Sequence, residues 1–102
     1  MKKFGNLIDT DKPFAGNIIT DDILTIKNVK ISFINIPKEQ EIKPHPEDYA
    51  ILFFILKGSA IFTTGDGTYK VMKNEAIYLD FNEVRGIKPL EDLRFMGIKI
   101  LN

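Results

Sequence analysis

The sequence predicts an all-β domain, a small sandwich or barrel, on three observations. Isoleucine, phenylalanine, valine and threonine gather in short runs of five to eight residues, the composition that suits pleated, half-buried strands. Turn residues separate these runs at close spacing, "TGDG" at 64–67 being the strongest. No stretch sustains a helical period, and alanine is scarce.

Residues 1–22, "MKKFGNLIDTDKPFAGNIITDD", are polar and carry turn residues, so they read as an N-terminal arm or edge strand ahead of a barrel domain over 23–102. "ILTIK" (23–27) and "VKISFINI" (29–36) read as strands. In the second, Val29, Ile31 and Phe33 share one face while Lys30 and Ser32 take the other. "AILFFIL" (50–56) is apolar on both faces. One side can fill a barrel, and the other then needs cover from another sheet or subunit, which points to a homodimer. "SAIFTT" (59–64) and "TYKVM" (68–72) form a hairpin around "TGDG", whose glycines tolerate positive φ. "EAIYLDF" (75–81) and "LRFMGIKI" (93–100) complete the set, with Leu93, Phe95 and Gly97 opposite in face to Arg94, Met96 and Ile98. Weaker turns fall at 73–74, 81–83 and 88–92. Phe33, Phe53, Phe54, Phe62, Tyr69, Tyr78, Phe81 and Phe95 are expected to fill the interior and one covered outer face.

At 102 residues the chain is one domain. Fourteen basic and fourteen acidic residues cancel, which leaves no broad field to attract nucleic acid or an anionic membrane. With no cysteine there are no disulfides, thiolate ligands or thiol nucleophiles. The opening "MKKFGNLIDT" lacks an apolar core for a signal peptide, and the longest apolar run is far short of a span. A soluble, cytoplasmic protein is expected. No phosphate-binding glycine loop is present, and neither Ser32 nor Ser59 sits in a nucleophile elbow.

The chemistry concentrates in "KPHPEDYAILFFILKG" (43–58), which holds the only histidine, His45, between two prolines and two residues before Glu47. The prolines favour an extended backbone at a strand entrance. Positions 45, 47 and 51 share parity, so on one unbroken strand their side chains face one way.

From about Ile34 to its end the chain resembles a single-domain, RmlC-like cupin, a jelly-roll β-barrel. The first cupin motif has a glycine, a His-x-His pair, a glutamate and a closing glycine; these fall on Glu39, His45, Glu47, Ile51 and Gly58, of which His45 and Gly58 match. The second motif's glycine, proline, glycine, histidine and asparagine fall on Asn74, Asp80, Asn82, Arg85 and Pro89, with none retained. Asparagine at 74 and 82 is a mild change, since it also tolerates left-handed backbone. In cupins the motif histidines and glutamate bind a divalent metal inside the barrel. Here that arrangement gives His45 and Glu47 as donors, Ile51 as none, and the permanently cationic Arg85, placed on the 81–86 loop, in the fourth place.

The resemblance therefore implies a cupin barrel with a degenerate metal site and no cofactor, binding a small molecule, an anion among the candidates. Its expected pocket is His45, Glu47, Ile51, Tyr78, Asp80 and Arg85, with no residue assigned a catalytic or metal-binding role. Two alternatives stand beside it: a metal-dependent isomerase or dioxygenase using His45 and Glu47, and a structural module whose barrel is filled by side chains.

Overall fold

The computed structural model describes residues 1–5, 14 and 16–102. Nine strands run in order: β1 (Ile19–Ile26), β2 (Val29–Ile36), β3 (Ile42–Pro46), β4 (Ala50–Lys57), β5 (Ser59–Thr64), β6 (Gly67–Met72), β7 (Ala76–Leu79), β8 (Val84–Pro89) and β9 (Leu93–Ile100). They form two sheets with antiparallel pairing throughout, β1-β2-β9-β4-β7 and β3-β8-β5-β6. The chain changes sheet repeatedly, which gives a barrel rather than two consecutive meanders. Among the described residues no helix is long and apolar enough to cross a membrane.

The expected strands are present, with two additions. The N-terminal edge strand begins at Ile19, so β1 crosses the expected boundary at residues 22 and 23; residues 6–13 and 15 of the arm lie outside the described residues. β3, "IKPHP", and β8, "VRGIKP", were hidden by proline and glycine. β3 tolerates its prolines because it is a sheet edge, paired only with β8. Gly86 on β8 answers Pro44 on β3: a side chain there would approach the Pro44 ring to 2.7 Å.

Ile34 and Ile36 from β2, Ile51, Phe53 and Ile55 from β4, and Leu93 and Phe95 from β9 meet Phe62, Val71 and Ile87 from the facing sheet. Phe53 is the hub, with ring centroids 5.3 Å from Phe62 and 5.0 Å from Phe95, the latter pair edge to face. Such pairs add about 0.5–1.5 kcal/mol to the area they bury. The interior holds fewer aromatics than expected. Only Phe53, Phe62 and Phe95 are buried, while Phe33, Phe54 and Phe81 are partly exposed and Tyr69 and Tyr78 lie largely in solvent. On β2 the alternation is as read, yet the inner face is that of Ser32, Ile34 and Ile36 rather than Val29, Ile31 and Phe33. Ser32 is accommodated by donating to Asp22 Oδ1 at 2.7 Å, a hydrogen bond that holds the Asp22 carboxyl below its usual range, with Lys30 adding to the effect.

Left-handed backbone occurs where the turns require it. Asn74 (φ 72°) and Asn82 (φ 63°) both adopt it. Gly58 (φ 85°) links β4 to β5, and a Cβ there would run into the Asp92 carbonyl oxygen, so both conformation and space demand glycine.

Candidate functional site

His45 on β3 pairs directly across the ladder with Arg85 on β8. Directly opposed residues present their side chains to the same face, here the barrel interior. The chain leaves β3 after Pro46 and joins the opposite sheet at Ala50, so positions 45, 47 and 51 do not share one unbroken strand. His45 and Ile51 nevertheless reach the same cavity from opposite sheets. This cavity measures about 160 Å³ and is lined by Ile18, Thr20, Ile34, Ile42, His45, Tyr49, Ile51, Phe53, Arg85, Ile87, Phe95 and Lys99.

Arg85 is the central polar group. It lies within β8 rather than on a loop and is 3% exposed. Its Nε donates to the Glu83 carbonyl at 3.1 Å and its Nη2 to the Asp80 carbonyl at 2.9 Å, clamping the turn that enters β8. Its Nη1 is buried without a hydrogen-bond partner. Among the described residues no carboxylate lies within ion-pair distance of it. The Tyr49 ring packs against the guanidinium at 5.0 Å, and the ammonium of Lys99 stands 4.6 Å from the same ring. Burial pushes the Tyr49 hydroxyl above its ordinary pKa; the charge of Glu47 adds to this and that of Arg85 opposes it.

His45 stands at the cavity mouth, its side chain 47% exposed. Its Nδ1 lies 2.7 Å from the Lys43 carbonyl, which can only accept, so Nδ1 carries the proton. Nε2 faces Glu47 Oε1 at 3.8 Å. The Glu47 carbonyl accepts from the Asn82 N–H at 2.8 Å, tying the β3–β4 connection to the turn that Arg85 clamps.

Of the expected pocket residues, the structure brings His45, Ile51 and Arg85 onto the cavity wall, with Glu47 beside His45. Tyr78 and Asp80 are set apart. Tyr78 is 52% exposed and lines an outer depression with Tyr69 and Glu83. Its hydroxyl is 3.3 Å from Asp80 Oδ1, which also accepts the Phe81 N–H and so serves its own turn. Asp80 reaches the site only through its backbone carbonyl. Sequence reasoning passed over Tyr49 and Lys99. Lys99 had a signal, since it continues the Leu93, Phe95, Gly97 face and pairs with Ile51, whereas Tyr49 had none, because it lies in the connection between β3 and β4.

The donors do not fit a divalent metal. His45 and Glu47 offer two, Ile51 none, and Arg85 and Lys99 place positive charge on the same cavity. Among the described residues no group of three or more metal-ligating side chains converges.

No family model matches the chain, and no curated protein matches it. Solved structures do. A conserved protein of unknown function from Streptococcus pyogenes is 18% identical with a TM-score of 0.77, covering 100% of this chain and 96% of that one. A cupin superfamily protein from Desulfitobacterium hafniense is 13% identical with a TM-score of 0.81, covering 99% and 100%. An RmlC-like cupin family protein with a double-stranded β-helix fold, from Methanocaldococcus jannaschii, is 19% identical with a TM-score of 0.77, covering 99% and 93%. Strand order, interior and these likenesses agree: the chain has the cupin fold, a jelly-roll barrel of the double-stranded β-helix type.

Proposed function

We propose that this cupin-fold protein binds a small anion inside its barrel through Arg85, without metal chemistry. The observation that carries the reading is Arg85 itself, a permanently charged residue of the cavity wall with no carboxylate within ion-pair distance among the described residues and with an Nη1 that lacks a hydrogen-bond partner. A buried, unsatisfied donor costs about 1–3 kcal/mol, more when charged. A carboxylate or phosphate oxygen is the acceptor a guanidinium binds best. Lys99 adds a second cation, while Glu47 faces His45.

The test is titration calorimetry of metal-free protein with benzoate, 4-methylpentanoate and inorganic phosphate. At least one should bind with one-to-one stoichiometry, and Arg85→Met, checked for folding by circular dichroism, should lose about tenfold or more in affinity. Equal binding by the variant would remove Arg85 from the reading. Binding that appears only after a divalent metal is added would remove the exclusion of metal.

We also propose a homodimer formed through the outer face of the five-stranded sheet. Leu52 pairs with Ile98 on one side and Tyr78 on the other, and Leu52, Tyr78, Ile26 and Ile100 remain exposed on that face. An apolar sheet face of this kind is stabilised by cover. Sedimentation should give twice the chain mass for the native protein and a monomer for Leu52→Lys; a native monomer at all concentrations would exclude the dimer.

A further inference from the structure

We infer that the barrel's ligand is a monocarboxylate with a compact apolar body, its carboxylate shared by Arg85 from one sheet and Lys99 from the other. This rests on the anion reading and narrows it to a chemical class.

The cavity lining is of two kinds. Arg85, Lys99, Tyr49, His45 and Thr20 bring polar groups, and the isoleucines with Phe53 and Phe95 form a wall with no side-chain hydrogen-bonding group. A sugar or other polyol would bury hydroxyls against that wall without partners, each at a cost of about 1–3 kcal/mol. A hydrocarbon body meets no such penalty and gains from leaving water.

Charge selects the head. Arg85 and Lys99 both line the cavity and both contact the Tyr49 ring. Among the described residues neither has a carboxylate within ion-pair distance. Glu47, the nearby acid that raises the Tyr49 pKa, faces His45. Two cations against one carboxylate leave a single positive charge, which a monoanion neutralises; a phosphate dianion would overcompensate it. The sheets contribute one cation each to the lining, and Phe53 and Phe95 offer the apolar surface for the body.

Size sets the body. At about 160 Å³ the cavity is close to the volume at which an apolar protein cavity takes up one benzene ring. Benzoate and 4-methylpentanoate are the matching probes, and benzamide is the uncharged control.

The experiment is calorimetric titration of the wild type and Lys99→Met with benzoate, 4-methylpentanoate, benzamide and inorganic phosphate. The expected result is binding of both carboxylates, with benzamide weaker by about tenfold or more and Lys99→Met weakening the carboxylates by about three- to tenfold. Phosphate binding while neither carboxylate binds would overturn this inference and leave the Arg85 anion reading standing. Carboxylate affinity unchanged in Lys99→Met would overturn the shared head-group site, again without touching the Arg85 reading. Benzamide binding as tightly as benzoate, or no binding of any anion, would overturn both.

Discussion

Two arginines are buried toward opposite ends of the molecule, Arg85 on the inner face of the barrel and Arg94 on the outer face of the five-stranded sheet, and the protein treats them differently. Arg94, 4% exposed at the start of β9, donates its Nε to Asn35 Oδ1 at 2.8 Å and carries the Phe14 ring over its guanidinium at 5.0 Å. None of its nitrogens is buried without a partner. Arg85, equally buried at the start of β8, spends two nitrogens on backbone carbonyls and leaves the third without an acceptor. At the Arg94 end Gly58 lies against the Asp92 carbonyl. The Arg85 end encloses the cavity. Arg94 is held by partners within the chain, whereas Arg85 keeps one donor without an acceptor on a residue that lines the cavity.

The comparison breaks most sharply at the arginines themselves. Arg94→Met should cost about 2–3 kcal/mol in urea unfolding, because a charge-assisted hydrogen bond and a cation–π contact are lost and Asn35 is left without its donor. Arg85→Met should cost less, about 1 kcal/mol. It frees the carbonyls of Asp80 and Glu83 and loses the Tyr49 ring contact, but it also removes the unsatisfied charge. If Arg85→Met proved the more damaging of the two, Arg85 would be a structural clamp and the contrast between the ends would collapse.

A smaller effect sharpens the view of the cavity end. The folded-state pKa of Tyr49 lies above its ordinary 10.0, chiefly through burial, so the folded protein holds the phenolic proton longer than the unfolded chain does. Stability from this group is therefore complete below about pH 10 and declines as pH rises through the folded-state pKa. Unfolding free energies measured from about pH 9 to 11 should fall more steeply for the wild type than for Tyr49→Phe. Parallel slopes would mean that the hydroxyl is solvated as in the unfolded chain.

The fold was largely legible because its signals are local. Alternation and β-branched runs marked β2, β4, β5, β6 and β9, and "TGDG" marked the β5–β6 hairpin. β3 and β8 were not legible, since proline and glycine suppress strand propensity and only their mutual pairing at a sheet edge makes them strands. The site was half legible. His45, Ile51 and Arg85 of the cavity wall follow from the resemblance to cupins and Lys99 from the alternation of β9, whereas Tyr49 follows from neither, since it sits in the connection between β3 and β4. Tyr78 and Asp80 lie apart from the cavity because β7 turns Leu79 to the core and Tyr78 outward, and Asp80 falls in the turn that follows.

By itself the sequence determined where strands can form, where left-handed turns can sit at Asn74 and Asn82, and that position 85 is always a cation. Tertiary structure alone decided which face of each strand became the interior, and hence that Ser32 is inside while Phe33 is not. It also decided that Arg85 is buried one acceptor short. The physical reason is that alternation fixes which side chains share a face, while burial and hydrogen-bond satisfaction depend on what the opposite sheet and the neighbouring loops bring against that face.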